Sequence, residues 1–124
     1  AVNPLILHGQ THGGIAAGIG QALWEDCHYE RESGQLLSGS FMDYTLPRAD
    51  MLPMFATELS EVPATTHPLG MRGGGEGGTT PALAAVANAI VDALAEFGVE
   101  HIELPATPER VWRAMKGGGG ATQR

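Results

Sequence analysis

The sequence predicts an α+β fold in which helices pack on a small, mainly antiparallel sheet. Three observations carry that expectation: apolar residues at helical spacing in three stretches, a turn cluster between two extended-type segments, and an alternating segment bracketed by prolines. A length of 124 residues suits a single domain, which at this size buries roughly two thirds of its unfolded surface.

The first helix is expected over residues 13–26, where Ile15, Ile19, Ala22 and Leu23 recur at helical spacing behind Thr11 as the N-cap. Gly14, Ala17 and Gly18 form a strip without side-chain bulk on this helix, against which another backbone or a ligand can come close. Residues 27–31 and 35–42 flank Glu32-Ser33-Gly34 and read as a β-hairpin. Pro47 and Pro53 bracket an irregular connection. Phe55, Thr57 and Leu59 then alternate with Ala56, Glu58 and Ser60, the pattern of a half-buried strand. After Pro63 and Pro68, residues 69–80 form a glycine-dominated loop. Thr80 and Pro81 are placed to cap and open a second, deeply buried helix through Leu83, Val86, Ile90, Leu94 and Phe97, which stops at Gly98. A short strand over 99–104 leads to Thr107-Pro108-Glu109, an N-cap followed by proline and an acid in the first turn of a third helix carrying Val111, Trp112 and Met115. The body of the domain is therefore residues 1–116, and residues 117–124 read as a flexible glycine-rich tail.

Composition narrows the function classes. Seven basic and fourteen acidic residues give a net charge of −7, and with no basic block nucleic acid and anionic membrane surfaces are repelled. No apolar stretch reaches the ~20 residues of a membrane span. One cysteine, Cys27, excludes an internal disulfide and fits a reducing compartment, with the cytoplasm as the expected location. Cys27 itself reads as a buried structural thiol, and Trp24, Trp112 and the methionines as core or subunit-contact residues. The start carries neither a basic leader nor an initiator Met, which points to a chain cut from something longer. Glycine is in excess, 18 residues in clusters without a Gly-X-Y period, which excludes collagen and leaves glycine-lined turns.

Two clusters carry candidate chemistry. In Arg72-Gly73-Gly74-Gly75-Glu76-Gly77-Gly78, glycines permit unusual backbone angles and turn N–H groups toward a bound anion ahead of a helix. A phosphate-binding loop of the Walker type fails for want of Gly-Lys-Ser/Thr, and the dinucleotide fingerprint lacks its preceding strand. Glu76 stands among glycines on both sides: it is either a solvated acid in a turn or a carboxylate presented to a ligand as a general base. Arg72 either pairs with Glu76, holds an anion, or is a plain surface arginine. In His8-Gly9-Gln10-Thr11-His12-Gly13-Gly14, two histidines four apart would share a helical face for a metal, but Gly9 argues against helix and no third ligand is suitably spaced, so no metal ligand is assigned. Gln10 offers a donor and an acceptor, to a heteroatom-rich ligand or to nearby backbone.

Three runs together, residues 9–24, 39–50 and 70–83, resemble the C-terminal end of the molybdenum-binding large subunit of the molybdenum hydroxylases, the family of xanthine dehydrogenase, aldehyde oxidase and aerobic carbon monoxide dehydrogenase. The resemblance extends from about Asn3 to Met115, so the predicted domain is part of a larger molybdopterin-binding subunit. The family motif Gly-x-Lys-Gly-x-Gly-Glu reads here Gly70-Met71-Arg72-Gly73-Gly74-Gly75-Glu76, with Arg72 in place of the frequent Lys and Gly74 in place of a common Val. The resemblance implies that Glu76 is the general base of an oxidative hydroxylation, or lines a site of carbon monoxide oxidation. It also implies that Gln10, Arg72, Gly73, Gly74 and Gly75 contact a molybdopterin cofactor in its cytosine dinucleotide form. Iron–sulfur clusters and FAD are implied on other domains or subunits. The implied partners are the rest of the molybdenum-binding subunit, the iron–sulfur and flavin subunits, a small-molecule substrate and a homo-oligomeric mate. The isolated chain is expected to be inactive. The competing expectation is a non-catalytic assembly or binding module that keeps the fold without cofactor.

Overall fold

A computed structural model describes residues 1–117 of the chain. Helix α1 spans Pro4–Leu23, α2 spans Thr79–Ala93 and α3 spans Pro108–Gly117. Single 3₁₀ turns lie at Ala49–Met51 and Ala95–Phe97. Gly117 closes α3 instead of opening the tail, and the rest of the expected tail, residues 118–124, lies outside the described residues.

Helix α1 starts nine residues earlier than the apolar spacing predicts. Asn3 is its N-cap, with Oδ1 accepting the Ile6 N–H at 3.2 Å, and Pro4 stands at N1. That cap and proline are a complete start signal. Thr11, the expected cap, lies within the helix and donates its hydroxyl to the Leu7 carbonyl at 2.9 Å. The helix continues through Gly9, Gly13, Gly14, Gly18 and Gly20, at a propensity cost of about 1 kcal/mol each, because part of that strip is buried against α2. A Cβ at Gly14 would lie 2.8 Å from the Thr79 nitrogen, and one at Gly18 would lie 2.6 Å from Ala82 Cβ. The bare strip thus receives the backbone of another helix. The contacts advance together, Gly14 with Thr79 and Gly18 with Ala82, so the two helices run in the same direction where they touch.

That shared direction separates core from site. The C-terminal ends of α1 and α2 lead to the core: Leu94, Val99, Ile102 and Ala106 are buried together, with Leu23, Ile90, Val91 and Val111 packed against them. The Ala106 N–H donates to the Ala22 carbonyl at 2.6 Å, tying the segment before α3 to α1. Thr107 caps α3 as expected, its carbonyl accepting the Val111 N–H at 2.9 Å. Helix α2 ends through a 3₁₀ turn and Gly98 in the left-handed region at φ 70°, the stop that glycine permits. It is not deeply buried: Ala82 is its one buried residue.

The α+β expectation is overturned, because no sheet is present among the described residues. The expected hairpin turns at the right place, with Gly34 at φ 71°, yet only Tyr29 and Leu36 form an antiparallel bridge. The 55–60 and 99–104 segments are extended but have no ladder partner among the described residues. Alternation in sequence reports a half-buried extended segment; a strand also needs a neighbour to receive its N–H and C=O groups. Other expectations are corrected too. Cys27 is exposed and not a buried thiol; Trp112 is 57% exposed and Met42 and Met54 are almost fully exposed, which removes the core alternative for these three and leaves the subunit-contact one.

Candidate functional site

The site lies at the end of the α1–α2 pair remote from the core. Its frame is the close crossing just described. Gly78, the N-cap of α2, sits so near the Thr11 carbonyl and Gly14 that a side chain there has no room. This contact delivers the glycine loop, residues 70–78, across the N-terminal half of α1. Gly74 packs on Leu7, whose Cδ1 would lie 2.9 Å from a Cβ at that position. The next residue is latched by a side chain: Gln10 Nε2 donates to the Gly75 carbonyl at 2.9 Å. Two motifs 65 positions apart in the chain therefore meet at one hydrogen bond.

Beside this latch is a groove of about 740 Å³ whose lining includes Ile6, Leu7, Gln10, Arg72, Gly73 and Gly74. Five of the six predicted site residues, Gln10, Arg72, Gly73, Gly74 and Gly75, are thus brought together. Glu76 follows directly, two residues ahead of the α2 cap. Its carbonyl accepts the Thr80 N–H at 3.1 Å, starting the helix, and its side chain is exposed, with no hydrogen bond or ion pair among the described residues. Arg72 is exposed as well and does not pair with Glu76. Backbone freedom in the loop is used at Gly70 alone, at φ 66°. Elsewhere the glycines matter for bulk: Gly73, Gly75 and Gly77 meet nothing within 4 Å where a Cβ would stand, leaving main chain open to a neighbour on that side.

His8 and His12 do share a helical face, since Gly9 lies inside α1. They are held by one hydroxyl: Thr57 Oγ1 lies 2.7 Å from His8 Nδ1 and 3.1 Å from His12 Nε2. Phe55 meets the His12 ring edge-on at 5.8 Å between centroids. The pair clasps the extended 55–60 segment to α1, and no group of three or more metal-ligating side chains occurs among the described residues. The sequence reading missed this clasp. Its signal was present in two histidines at i and i+4 and a threonine on the inward face of the alternating segment.

A second polar set steadies the connection after α1. Tyr44 donates its hydroxyl to Glu25 Oε2 at 2.7 Å, and this bond, with desolvation and the Glu25 charge, pushes the Tyr44 hydroxyl up to about 12. Asp26 receives Arg110 at 3.3 Å, joining the end of α1 to α3. In the hairpin turn the Ser33 hydroxyl and the N–H groups of Glu32 and Ser33 hold the Glu30 carboxyl below its ordinary range.

One wall of the groove offers the Gln10 carboxamide, the Arg72 guanidinium and the main chain of Gly73 and Gly74, with Glu76 next in line; the 58–61 segment adds the Ser60 hydroxyl and the carboxylates of Glu58 and Glu61. The groove has no thiolate or imidazole cluster to ligate a bare metal. Gln10, Arg72 and the glycine main chain fit an anionic, heteroatom-rich cofactor that brings its own metal ligands, whereas Glu58 and Glu61 would turn its charged groups toward Arg72.

Known proteins agree. A family model described as a molybdopterin cofactor-binding domain matches residues 1–53. The nicotine 6-hydroxylase large subunit of Paenarthrobacter nicotinovorans is 46% identical over 116 residues, covering 94% of this chain and 14% of its own length. The carbon monoxide dehydrogenase large chain of Hydrogenophaga pseudoflava is 36% identical over 93% of this chain and 14% of its own. The solved structure of quinoline 2-oxidoreductase from Pseudomonas putida 86 superposes with a TM-score of 0.87 at 40% identity, covering 93% of this chain and 14% of that one. The chain spans about one seventh of these relatives, and across that span it belongs to the molybdenum hydroxylase family, as a stretch of the molybdopterin-binding large subunit.

Proposed function

We propose that this chain is the C-terminal stretch of a molybdenum hydroxylase large subunit, in which Glu76 is the general base and Gln10, Arg72 and Gly73–Gly75 hold the cofactor. The observation that carries the reading is the Gln10–Gly75 hydrogen bond, which joins the two motifs and leaves Glu76 at the open side of the joint. Arg72 would neutralise a phosphate of the cofactor, best matched by the cytosine dinucleotide form, and the open glycine edge lets main-chain N–H groups approach it. Gln10 spends Nε2 on the loop and retains Oε1 to accept from the cofactor. When bound, molybdopterin supplies a two-electron oxidation. Glu76 takes a proton at a carboxylate oxygen from the oxygen nucleophile that attacks an electron-poor carbon, of an aldehyde, an N-heterocycle or an acyl-CoA thioester; in a carbon monoxide oxidiser it lines the site. Electrons leave through iron–sulfur and flavin partners, in the cytoplasm. No helix among the described residues is long and apolar enough to cross a membrane.

The test is to co-express the chain with the rest of the nicotine 6-hydroxylase large subunit and assay the complex for molybdenum and pterin. Stoichiometric molybdenum, reduced by a joint Gln10→Ala and Arg72→Ala change, is the expected result. A tight complex devoid of molybdenum would establish the assembly-module alternative.

A further inference from the structure

The segment Met54–Val62 is a strand in all but partner. Pro53 and Pro63 delimit it, and prolines at both ends mark the limits of what a ladder can use. Phe55, Thr57 and Leu59 are half-buried while Met54, Ala56, Glu58 and Ser60 are exposed, a strict period of two. Its inner face is fixed to α1 by the bonds from Thr57 to His8 and His12 and by the Phe55–His12 contact. Yet no main-chain N–H or C=O from Met54 to Val62 hydrogen-bonds to another described group. An anchored, extended backbone with both edges open is the substrate of β-strand addition.

We infer that Met54–Val62 is a docking edge, and that its occupant is a β-strand from the remainder of the large subunit; this rests on the proposed reading of the chain as one stretch of that subunit. Two observations select this occupant. Relatives align through this segment yet six parts in seven of their length lie outside the match, since the chain spans 14% of them, so most of the subunit is available to supply a strand. Charge disfavours a second copy: Glu61 is paired with the Ala1 ammonium at 2.8 Å, but antiparallel self-pairing about the middle of the segment sets Glu58 against Glu58, which is destabilising. The incoming strand presents apolar side chains on the side of Phe55 and Leu59 and a Lys or Arg across from Glu58. Docking there reaches the functional site through a short path, because the same histidines that hold Thr57 flank Gln10 on α1.

The experiment measures amide hydrogen exchange across 54–62 in the isolated chain at two concentrations, and in a full-length subunit where this chain replaces the matching stretch of nicotine 6-hydroxylase. Fast exchange in the isolated chain, with at least 100-fold slowing of alternate amides in the full-length subunit, is expected. Equal exchange in both overturns the inference, and slowing in the isolated chain that grows with concentration assigns the edge to a second copy and also overturns it. Proline variants provide an independent readout in the two-piece complex. Successive residues direct their N–H groups to opposite edges, so Glu58→Pro and Glu61→Pro test one edge each. One of them should lower recovery of the complex at least tenfold while Glu58→Ser and Glu61→Ser do not; no loss with either proline overturns the inference. Molybdenum content is read separately, so a protected strand without molybdenum rejects the cofactor reading and leaves the docking edge standing.

Discussion

Adding one methyl group to α1 should have opposite effects at two glycines. At Gly13 a Cβ meets nothing within 4 Å, so Gly13→Ala gains the helix propensity difference alone, about 1 kcal/mol of stabilisation. At Gly18 the new Cβ would stand 2.6 Å from Ala82 Cβ, 3.0 Å from the Thr79 carbonyl oxygen and 3.1 Å from the Leu83 nitrogen. Carbon atoms are at rest roughly 3.5–4.0 Å apart, and none of these atoms is the end of a flexible side chain, so the helices must part. Overpacking of this kind costs about 1–3 kcal/mol, and the same propensity gain offsets about 1 kcal/mol of it. Gly18→Ala is therefore expected at about 0–2 kcal/mol below wild type, and roughly 1–3 kcal/mol below Gly13→Ala. Urea denaturation followed by circular dichroism measures both, with the slope checked for constancy. Ala82→Gly in the Gly18→Ala background removes the worst contact and should restore part of the loss. If Gly18→Ala stabilises as much as Gly13→Ala, the close crossing that carries the glycine loop onto α1 is refuted.

Other outcomes follow from single contacts. Thr57→Val leaves two histidines without their shared partner and should cost about 1–2 kcal/mol, measured by the same denaturation; no change would mean that the clasp contributes nothing. Gln10→Leu removes the donor to Gly75, so exchange of the Thr80 amide, bonded to the Glu76 carbonyl at 3.1 Å, should quicken while amides in the middle of α2 stay protected, and unchanged Thr80 exchange would contradict the latch. Tyr44, pushed up to about 12 from an ordinary 10.0, should contribute stability that is full below pH 10 and lost as pH rises through about 12, the sign for a raised pKa. In a Tyr29→Phe background, Glu25→Gln should return the tyrosinate titration toward 10.0, and an unshifted titration would dissociate the pair.

Much of the site was legible before the fold was. The loop from Arg72 to Gly78, Gln10 and the small-residue strip are local chemistry, and their meeting followed from Gly14 and Gly18 having no side chain to keep α2 away. The start of α1 was also legible but overlooked: Asn3-Pro4 is a cap and a first-turn proline, outweighed by Gly9 and Gly13, whose cost to the helix is offset elsewhere along it by the contacts of Gly14 and Gly18 with α2. The sheet was illegible for a different reason. Phe55, Thr57 and Leu59 encode which face is inward, but no segment among the described residues supplies the partner that would complete a ladder. Nor does an apolar side chain announce who covers it: Trp112 and Met54 look like core residues until their neighbours are counted.

We propose above that Glu76, held by its glycine loop at the Gln10 latch, is the base of the reaction. The most direct measurement is turnover and molybdenum content of the assembled enzyme carrying Glu76→Gln, which keeps the shape of the side chain and removes its proton-accepting charge. Molybdenum content equal to wild type with turnover abolished is expected; a fully active Glu76→Gln enzyme would contradict the assignment of Glu76 as the base.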